Sequence, residues 1–308
     1  MTGRRVLVTG AGGFLGRHLC RRLSAAEAEV HAVSRRPAAP HAAAARWWAA
    51  DMATEHEARA LIQAVKPDTV FHLGGLTDAS PDLRLVLPTF RSLLASTVNV
   101  LAACAEEGCR RVVLTGSVEE PSAGGPDATP ASPYAAAKWT AGAYGRMFHA
   151  LYRTPVVIAR LALAYGPGQA DRKVIPATIL AALRGVPPRV STGARLWDLV
   201  YVDDAIEGLL RVAERPGLEG ATLDLGSGTS RPLREVVERV THLIDPDLTP
   251  QFGAVADRPL TTACAVDAAA TEARIGWRAT TSLDSGLQRT IDWYRDRVGR
   301  GGNHGAAA

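Results

Sequence analysis

Tyr134 and Lys138 lie four residues apart, and on a helix that spacing projects both side chains from one face. Together they can do proton chemistry. A tyrosine, with an ordinary pKa of about 10, works near neutrality only when a neighbouring cation stabilises its phenolate. Lys138 can supply that charge. A hydride transfer to or from a carbonyl needs such a proton donor or acceptor at the carbonyl oxygen, and Ser117 can hydrogen-bond the same atom. A Tyr-x-x-x-Lys pair on its own arises often by chance. Here it is preceded by Ser132-Pro133 and lies downstream of a glycine loop, which makes it specific.

That loop is Thr9-Gly10-Ala11-Gly12-Gly13-Phe14-Leu15-Gly16. It follows an apolar run and opens an amphipathic one, the strand-to-helix junction at which a pyrophosphate binds. Gly10 permits the tight turn, Gly13 lets the backbone approach the phosphates, and Gly16 lets the helix pack against the sheet. The helix N-terminus beyond it, with Phe14 and Leu15, offers free N–H groups and partial positive charge. The next strand ends Val33-Ser34-Arg35-Arg36. A carboxylate there would accept from the adenosine ribose hydroxyls; two guanidiniums instead suit a 2′-phosphate and hence NADP(H). The alternative is that Arg35 and Arg36 only solvate a loop before Pro37.

These residues need a scaffold, and the pattern of the chain supplies one. Strands are predicted at Arg4–Thr9, Val30–Ser34, Trp47–Ala50, Thr69–Leu73, Val112–Thr115 and Val156–Leu163. Helices are predicted between them at Phe14–Ala25, Thr54–Ala64, Pro88–Glu107 and Tyr134–Tyr152. Alternation of this kind, with strands apolar on both faces, argues for an α/β fold with a doubly wound parallel (Rossmann) sheet. Gly166-Pro167-Gly168 breaks the pattern. Helices at Ile175–Arg184, Asp203–Glu214, Pro232–Leu243 and Leu283–Arg297 and a strand at Thr222–Leu225 then predict a smaller C-terminal α/β substrate lobe. The expected division is residues 1–165 for the dinucleotide-binding domain, with later segments returning to it, and 166–298 mainly for the lobe. Residues 299–308 read as a disordered Gly- and Ala-rich tail.

Composition narrows the function classes. The 308 residues are 47% apolar, which excludes a disordered chain, and the formal charge of +4 comes from scattered rather than striped arginines. Nucleic-acid binding is not expected. Cys20, Cys104, Cys109 and Cys264 form no CxxC pair and no spacing that suits zinc, so no metal is expected and the thiols read as small buried hydrophobes of a reducing, cytoplasmic setting. No apolar run approaches the roughly 18–20 residues that span a membrane. The helices at 88–107 and 134–152 carry more apolar and small residues than one buried face requires, and a homodimer is expected.

Beyond these motifs stand Asp51-Met52, Phe71-His72-Leu73-Gly74-Gly75, Tyr165-Gly166-Pro167-Gly168, Tyr201-Val202-Asp203-Asp204 and Ile275-Gly276-Trp277. In combination they resemble the extended short-chain dehydrogenase/reductase family of nucleotide-sugar epimerases, dehydratases and ketoreductases, over about residues 4–297. The resemblance implies Asp51 against the adenine, with Met52, Leu73, Gly74 and Gly75 beside the cofactor. It implies Ser117, Tyr134 and Lys138 as the catalytic set, Lys138 also holding the nicotinamide ribose, and a homodimer formed through a helix pair. Glu119, two residues beyond Ser117, falls where family dehydratases place a carboxylate. It is either a second acid/base group or, with Glu120, part of an exposed turn.

Departures from the family pattern bear on the substrate. Val118 stands where dehydratases carry Asp, which counts against 4,6-dehydration. Leu163 replaces a phosphate-contacting Asn, and Trp197 replaces the Arg that grips the pyrophosphate. Arg195 can substitute for it if the segment is extended, and Arg258 matches a later phosphate-binding Arg. Trp197 either stacks on a ring or belongs to the core. The expected activity is NADP(H)-dependent reduction of a keto group on a nucleotide-linked deoxysugar. The alternatives are an epimerase and a reductase of a non-nucleotide carbonyl.

Overall fold

The computed structural model describes residues 1–35, 46–121, 128–260 and 266–302. Its strands are β1 (Arg5–Thr9), β2 (Glu29–Ser34), β3 (Arg46–Ala49), β4 (Thr69–His72) and β5 (Arg111–Ser117). They continue with β6 (Val156–Leu161), β7 (Leu163–Tyr165), β8 (Leu196–Tyr201), β9 (Thr222–Leu225) and β10 (Ser230–Pro232). Seven of them form one sheet in the order β3-β2-β1-β4-β5-β6-β9, with every pairing parallel.

Each strand of this sheet is apolar on both faces because both faces are covered. In β1, Val6 and Val8 enter one core and Leu7 the other, as the two-residue repeat of a strand demands. The first core takes Leu19 and Leu23 of α1 (Phe14–Ala25). The second takes Leu61 and Ile62 of α2 (Glu55–Val65), Val100 and Leu101 of α3 (Leu83–Glu107) and Phe148 of α4 (Pro133–Tyr152). From β1 the chain winds outward through β2 and β3, then crosses back to β4 and winds the other way. The crevice beyond the ends of β1 and β4 is therefore the topological switch point, where doubly wound sheets bind ligands.

The second sheet is small, in the order β10-β8-β7. It carries α5 (Val174–Ala182) and α7 (Leu233–Ile244), with Val190, Leu233 and Val237 as a core of their own. Between them in sequence, α6 (Val202–Glu214) returns to the large sheet, where Ile206 and Leu209 join the core with Leu19. The α8 helix (Ala268–Ile275) and α9 (Leu283–Gly302) close the chain.

Several expectations need correction. The run 156–163 is not one strand: Ala162 donates its N–H to Leu225 at 2.9 Å and the chain then leaves for the small sheet. The helix expected at Pro88 begins at Leu83 and is wound as a π-helix over Phe90–Ala95. That helix also reaches the length and apolar composition of a membrane span, contrary to the expectation that no run does. Its Leu93, Val100, Leu101 and Cys104 pack inside the domain. The strands β8 and β10 and the helix α8 were not anticipated. The last helix runs to Gly302, past the expected start of the tail at 299; residues 303–308 lie outside the described residues.

Candidate active site

The glycine loop is shaped by contacts no side chain could share. Gly10 has φ +67°, and a Cβ on it would sit 2.8 Å from the Cα of Gly74, at the end of β4. A Cβ on Gly16 would lie 2.6 Å from the Cα of Ala11. Gly13 caps α1 with no side-chain hydrogen bond, and the first turn carries no acidic residue. The helix thus points unshielded N–H groups and positive potential into the switch-point crevice. This cradle fits a dinucleotide pyrophosphate.

One cleft of about 1920 Å³ runs from this loop to the small sheet. It brings together Gly10, Gly13, Phe14, Leu15, Gly16, Ser34, Arg35, Asp51, Met52, Leu73, Gly74 and Gly75. Ser117, Glu119, Tyr134, Lys138, Arg195, Trp197 and Arg258 line the same cleft. Arg36 falls outside the described residues. Asp51 is fixed by its own turn: Oδ1 accepts from the Ala53 N–H at 3.0 Å, and the Met52 carbonyl accepts from Asn99 at 3.0 Å.

The proton-handling group sits midway along the cleft. Ser132 caps α4 by accepting from the Ala135 N–H at 3.1 Å, and Pro133 begins the helix, so Tyr134 and Lys138 occupy its first turns. The Lys138 ammonium is buried and donates to the Thr115 carbonyl at 2.6 Å and to the Thr115 hydroxyl at 3.3 Å. Burial pulls its pKa down to about 8, opposed by the charge of Glu120. Burial drives the Tyr134 phenol upward; a hydrogen bond with Ser117 works against this, while Glu119 and Glu120 add to it. The phenol is thereby kept protonated. Behind Thr115 lies His72, whose carbonyl accepts from the Thr115 hydroxyl at 3.0 Å. Its ring meets Thr9 at 2.8 Å and Ser96 at 3.3 Å, and burial holds it neutral, with a pKa of about 3.

Toward the small sheet, Glu119 faces the cleft and accepts from Arg195 at 3.0 Å, while its N–H donates to the Ser117 hydroxyl at 3.1 Å. It is not the exposed turn that was one reading of it. Arg195 and Trp197 both line the cleft, two residues apart at the extended start of β8, with the guanidinium 5.8 Å from the indole. The Arg195 Nε and the Trp197 Nε1 are buried without a hydrogen-bond partner. Asp198, next along, is buried and accepts from the N–H groups of Ser227 and Gly228 at 2.7 and 2.8 Å, so it ties the small sheet to the end of β9. Sequence reasoning missed three contributors. Lys173 lines the cleft and donates to the Thr77 carbonyl. Arg172 lies beside it. Glu120 is 5% exposed and accepts from the Ser117 N–H at 2.6 Å. The basic pair Arg172-Lys173 was visible as a charge cluster; nothing in the sequence signals that Glu120 is buried.

Residues 6–226 match the NAD dependent epimerase/dehydratase family. The chain belongs to that family. This epimerase/dehydratase-family enzyme is 29% identical over 94% of its length to a probable dTDP-glucose 4,6-dehydratase of Sinorhizobium fredii, covering 92% of that protein. It is 34% identical to the dTDP-glucose 4,6-dehydratase of Neisseria gonorrhoeae over 56% of its own chain and 53% of the other. Among solved structures, MoeE5 in complex with UDP-glucose and NAD superposes with TM-score 0.84 at 29% identity, covering 95% of this chain and 99% of that one. The UDP-glucose 4-epimerase of Thermotoga maritima superposes with TM-score 0.85 at 20% identity over 95% and 99% of the two chains, a likeness of fold.

Proposed function

We propose that this enzyme uses NADP(H) to reduce a keto group on a nucleotide-linked deoxysugar. The observation that carries the reading is the convergence of Ser117, a phenol held protonated at Tyr134 and Lys138 on the same cleft as the glycine cradle. Arg35 stands at the end of β2 where an NAD site carries a carboxylate. The nicotinamide cofactor supplies hydride when bound. Tyr134 gives its proton to the substrate oxygen, Ser117 orients that oxygen, and Lys138 stabilises the phenolate left behind and holds the ribose. Glu119 orients Arg195, and with Lys173 and Arg258 that guanidinium forms the wall that takes the nucleotide phosphates. The relatives at 29% identity, a probable dTDP-glucose 4,6-dehydratase and a protein bound to UDP-glucose, support this substrate class.

A second reading, an epimerase that recycles its cofactor, is favoured by MoeE5, a relative at 29% identity that holds NAD. One experiment separates the two. NADPH absorbance is followed with a panel of 4-keto-6-deoxy nucleotide sugars, wild type beside Tyr134→Phe. Steady oxidation by wild type alone supports reduction; isomerised sugar with no NADPH consumed overturns it for the epimerase. No turnover with any nucleotide sugar moves the substrate to a non-nucleotide carbonyl, as Leu163 and Trp197 would allow.

A homodimer belongs to the same proposal. Leu83, Leu87 and Phe90 of α3 and Tyr144, Leu151 and Tyr152 of α4 are exposed apolar side chains on two helices packed together. A monomeric mass by light scattering at micromolar concentration would refute it. Cys20, Cys104 and Cys109 are buried free thiols, which suits a reducing cytoplasmic setting.

A further inference from the structure

Glu119 and Glu120 are adjacent, yet only Glu119 lines the cleft. The chain turns after β5 so that Glu120 points back beneath it, between β5 and α4. Two glycines make the room. A Cβ on Gly116 of β5 would lie 2.7 Å from Glu120 Oε1, and one on Gly142 of α4 would lie 4.0 Å from Oε2. Lys138 and Gly142 are one turn apart on α4, so the carboxylate occupies the same helix face as the proton-handling pair. Oε1 accepts from the Ser117 N–H at 2.6 Å, a charge-assisted bond to the backbone of the residue whose hydroxyl meets the phenol.

Building on the reading of Tyr134 and Lys138 as the proton-handling pair, we propose that Glu120 is a positioning residue. It fixes Ser117 through the backbone and, from behind the cleft wall, holds the pair as phenol and ammonium, the form that donates a proton.

A buried carboxylate is costly unless cations surround it. Burial raises the pKa of Glu120; the Ser117 N–H opposes that first, and then three cations, Arg160 on β6 and Lys138 and Arg146 on α4. Arg160 is already engaged by Asp224 of β9 in a two-pronged pair at 2.6 and 2.7 Å. Its charge is shared between Asp224 and Glu120, and Lys138 is the next cation that Glu120 meets. The remaining groups around the ammonium are Thr115 on β5 and His72 on β4, the latter kept neutral. Glu120 is therefore the anion that counters desolvation of Lys138. The same charge disfavours a phenolate at Tyr134. Both effects favour the acid form and a wide pH range for reduction. An enzyme that must begin by removing a proton from a sugar hydroxyl would gain from the opposite arrangement.

The test uses cofactor binding, because Lys138 is read as the ribose contact. NADPH affinity is titrated by nicotinamide fluorescence from about pH 6 to 10 for wild type, Glu120→Gln and Glu120→Asp. The amide keeps an acceptor for the Ser117 N–H and removes the charge; Asp shortens the reach and keeps the charge. All three are expected to bind alike at about pH 6. Wild-type affinity should fall above about pH 8, where Lys138 loses its proton. In Glu120→Gln the fall should begin about one unit lower, making binding about fivefold weaker near pH 8, while Glu120→Asp follows wild type. A Glu120→Gln profile that superimposes on wild type, or that is weaker by one factor at every pH, overturns the proposal. The second outcome would mean packing alone. Glu120→Asp keeps the question open to test if Glu120→Gln does not fold: the wild-type profile is expected, and a fall that begins about one unit lower would be equally fatal. No sugar enters the measurement, so its result is independent of whether the protein reduces a keto sugar.

Discussion

The two walls of the cleft are built from different materials. The wall proposed to take the cofactor is backbone: Gly10 against Gly74, Gly16 against Ala11, and the bare N-terminus of α1. The wall proposed to take the substrate is made of long side chains, with Arg195 on Glu119, Lys173 on a carbonyl, and Trp197 beside them. A backbone wall tolerates no alternative, since any Cβ at Gly10 or Gly16 collides with main chain. A side-chain wall can be rewritten residue by residue without disturbing the sheet behind it. This is why a doubly wound fold keeps one cofactor while its substrates diverge, and why Leu163 and Trp197 can depart from the family pattern while the glycine loop does not.

Tyr134→Phe probes the point where the walls meet and should have the largest effect. Turnover is expected to fall by about 100- to 10,000-fold, the usual worth of a general acid. Cofactor affinity should stay within about twofold, because Lys138 remains on Thr115. A matching loss of cofactor affinity would show that the phenol belongs to the binding wall.

What the sequence made legible follows the same division. Glycine spacing and the alternation of Val6, Leu7 and Val8 are direct signatures of backbone geometry, and they lead to the right sheet and to a loop that lines the cleft. The break between β6 and β7 left no mark, because residues 156–163 remain mostly apolar although they serve two sheets. β10 is three residues long and paired through Trp197 and its neighbours, too short for periodicity to show. Glu120 is the sharpest case. A glutamate followed by Pro-Ser-Ala-Gly-Gly reads as a solvated turn, and only the room left by Gly116 and Gly142 reveals where it points.

Acid should attack the cofactor wall before the substrate wall. His72 is buried between Thr9 and Ser96 with its pKa held at about 3, first by burial and then by the charge of Lys138. The folded protein therefore prefers the neutral ring. That stability is fully present above the ordinary histidine value of about 6.5 and is lost as pH falls from there toward 3, at up to about 1.4 kcal/mol per unit. Between about pH 6.5 and 5 the loss should reach about 2 kcal/mol. Urea unfolding across that interval measures it. His72→Gln should begin less stable and show a flatter dependence; parallel curves for the two proteins would remove His72 from the account.

Cofactor choice tests a place where the proposed cofactor wall would rely on side chains. Replacing Arg35 and Arg36 together with Ala should weaken NADP(H) by about 10- to 100-fold, or about 1.4 kcal/mol for each factor of ten, and leave NAD(H) nearly unchanged. Titration of both cofactors against both proteins decides it. A wild type that prefers NAD would reverse the assignment and favour the cofactor-recycling epimerase.

The smallest effects belong to the substrate wall, and their pattern matters more than their size. Arg195 is partly buried, with one guanidinium nitrogen on Glu119 and another, Nε, buried without a partner beside the equally unpartnered Trp197 indole nitrogen. An unmet buried donor costs about 1–3 kcal/mol, which a substrate oxygen can recover on binding. On the proposed reading, in which the guanidinium meets the held group and not the reacting one, Arg195→Ala should raise KM about tenfold with kcat changed by less than threefold. Trp197→Phe removes the indole N–H together with the five-membered ring and should raise KM about two- to fivefold. The two side chains lie within 5.8 Å and face the same cleft, so the double variant should fall short of the sum if they share one substrate group. Strict additivity would assign them separate groups. A kcat effect larger than the KM effect for Arg195→Ala would instead place it at the reacting carbon, and the division between the two walls would then be drawn in the wrong place.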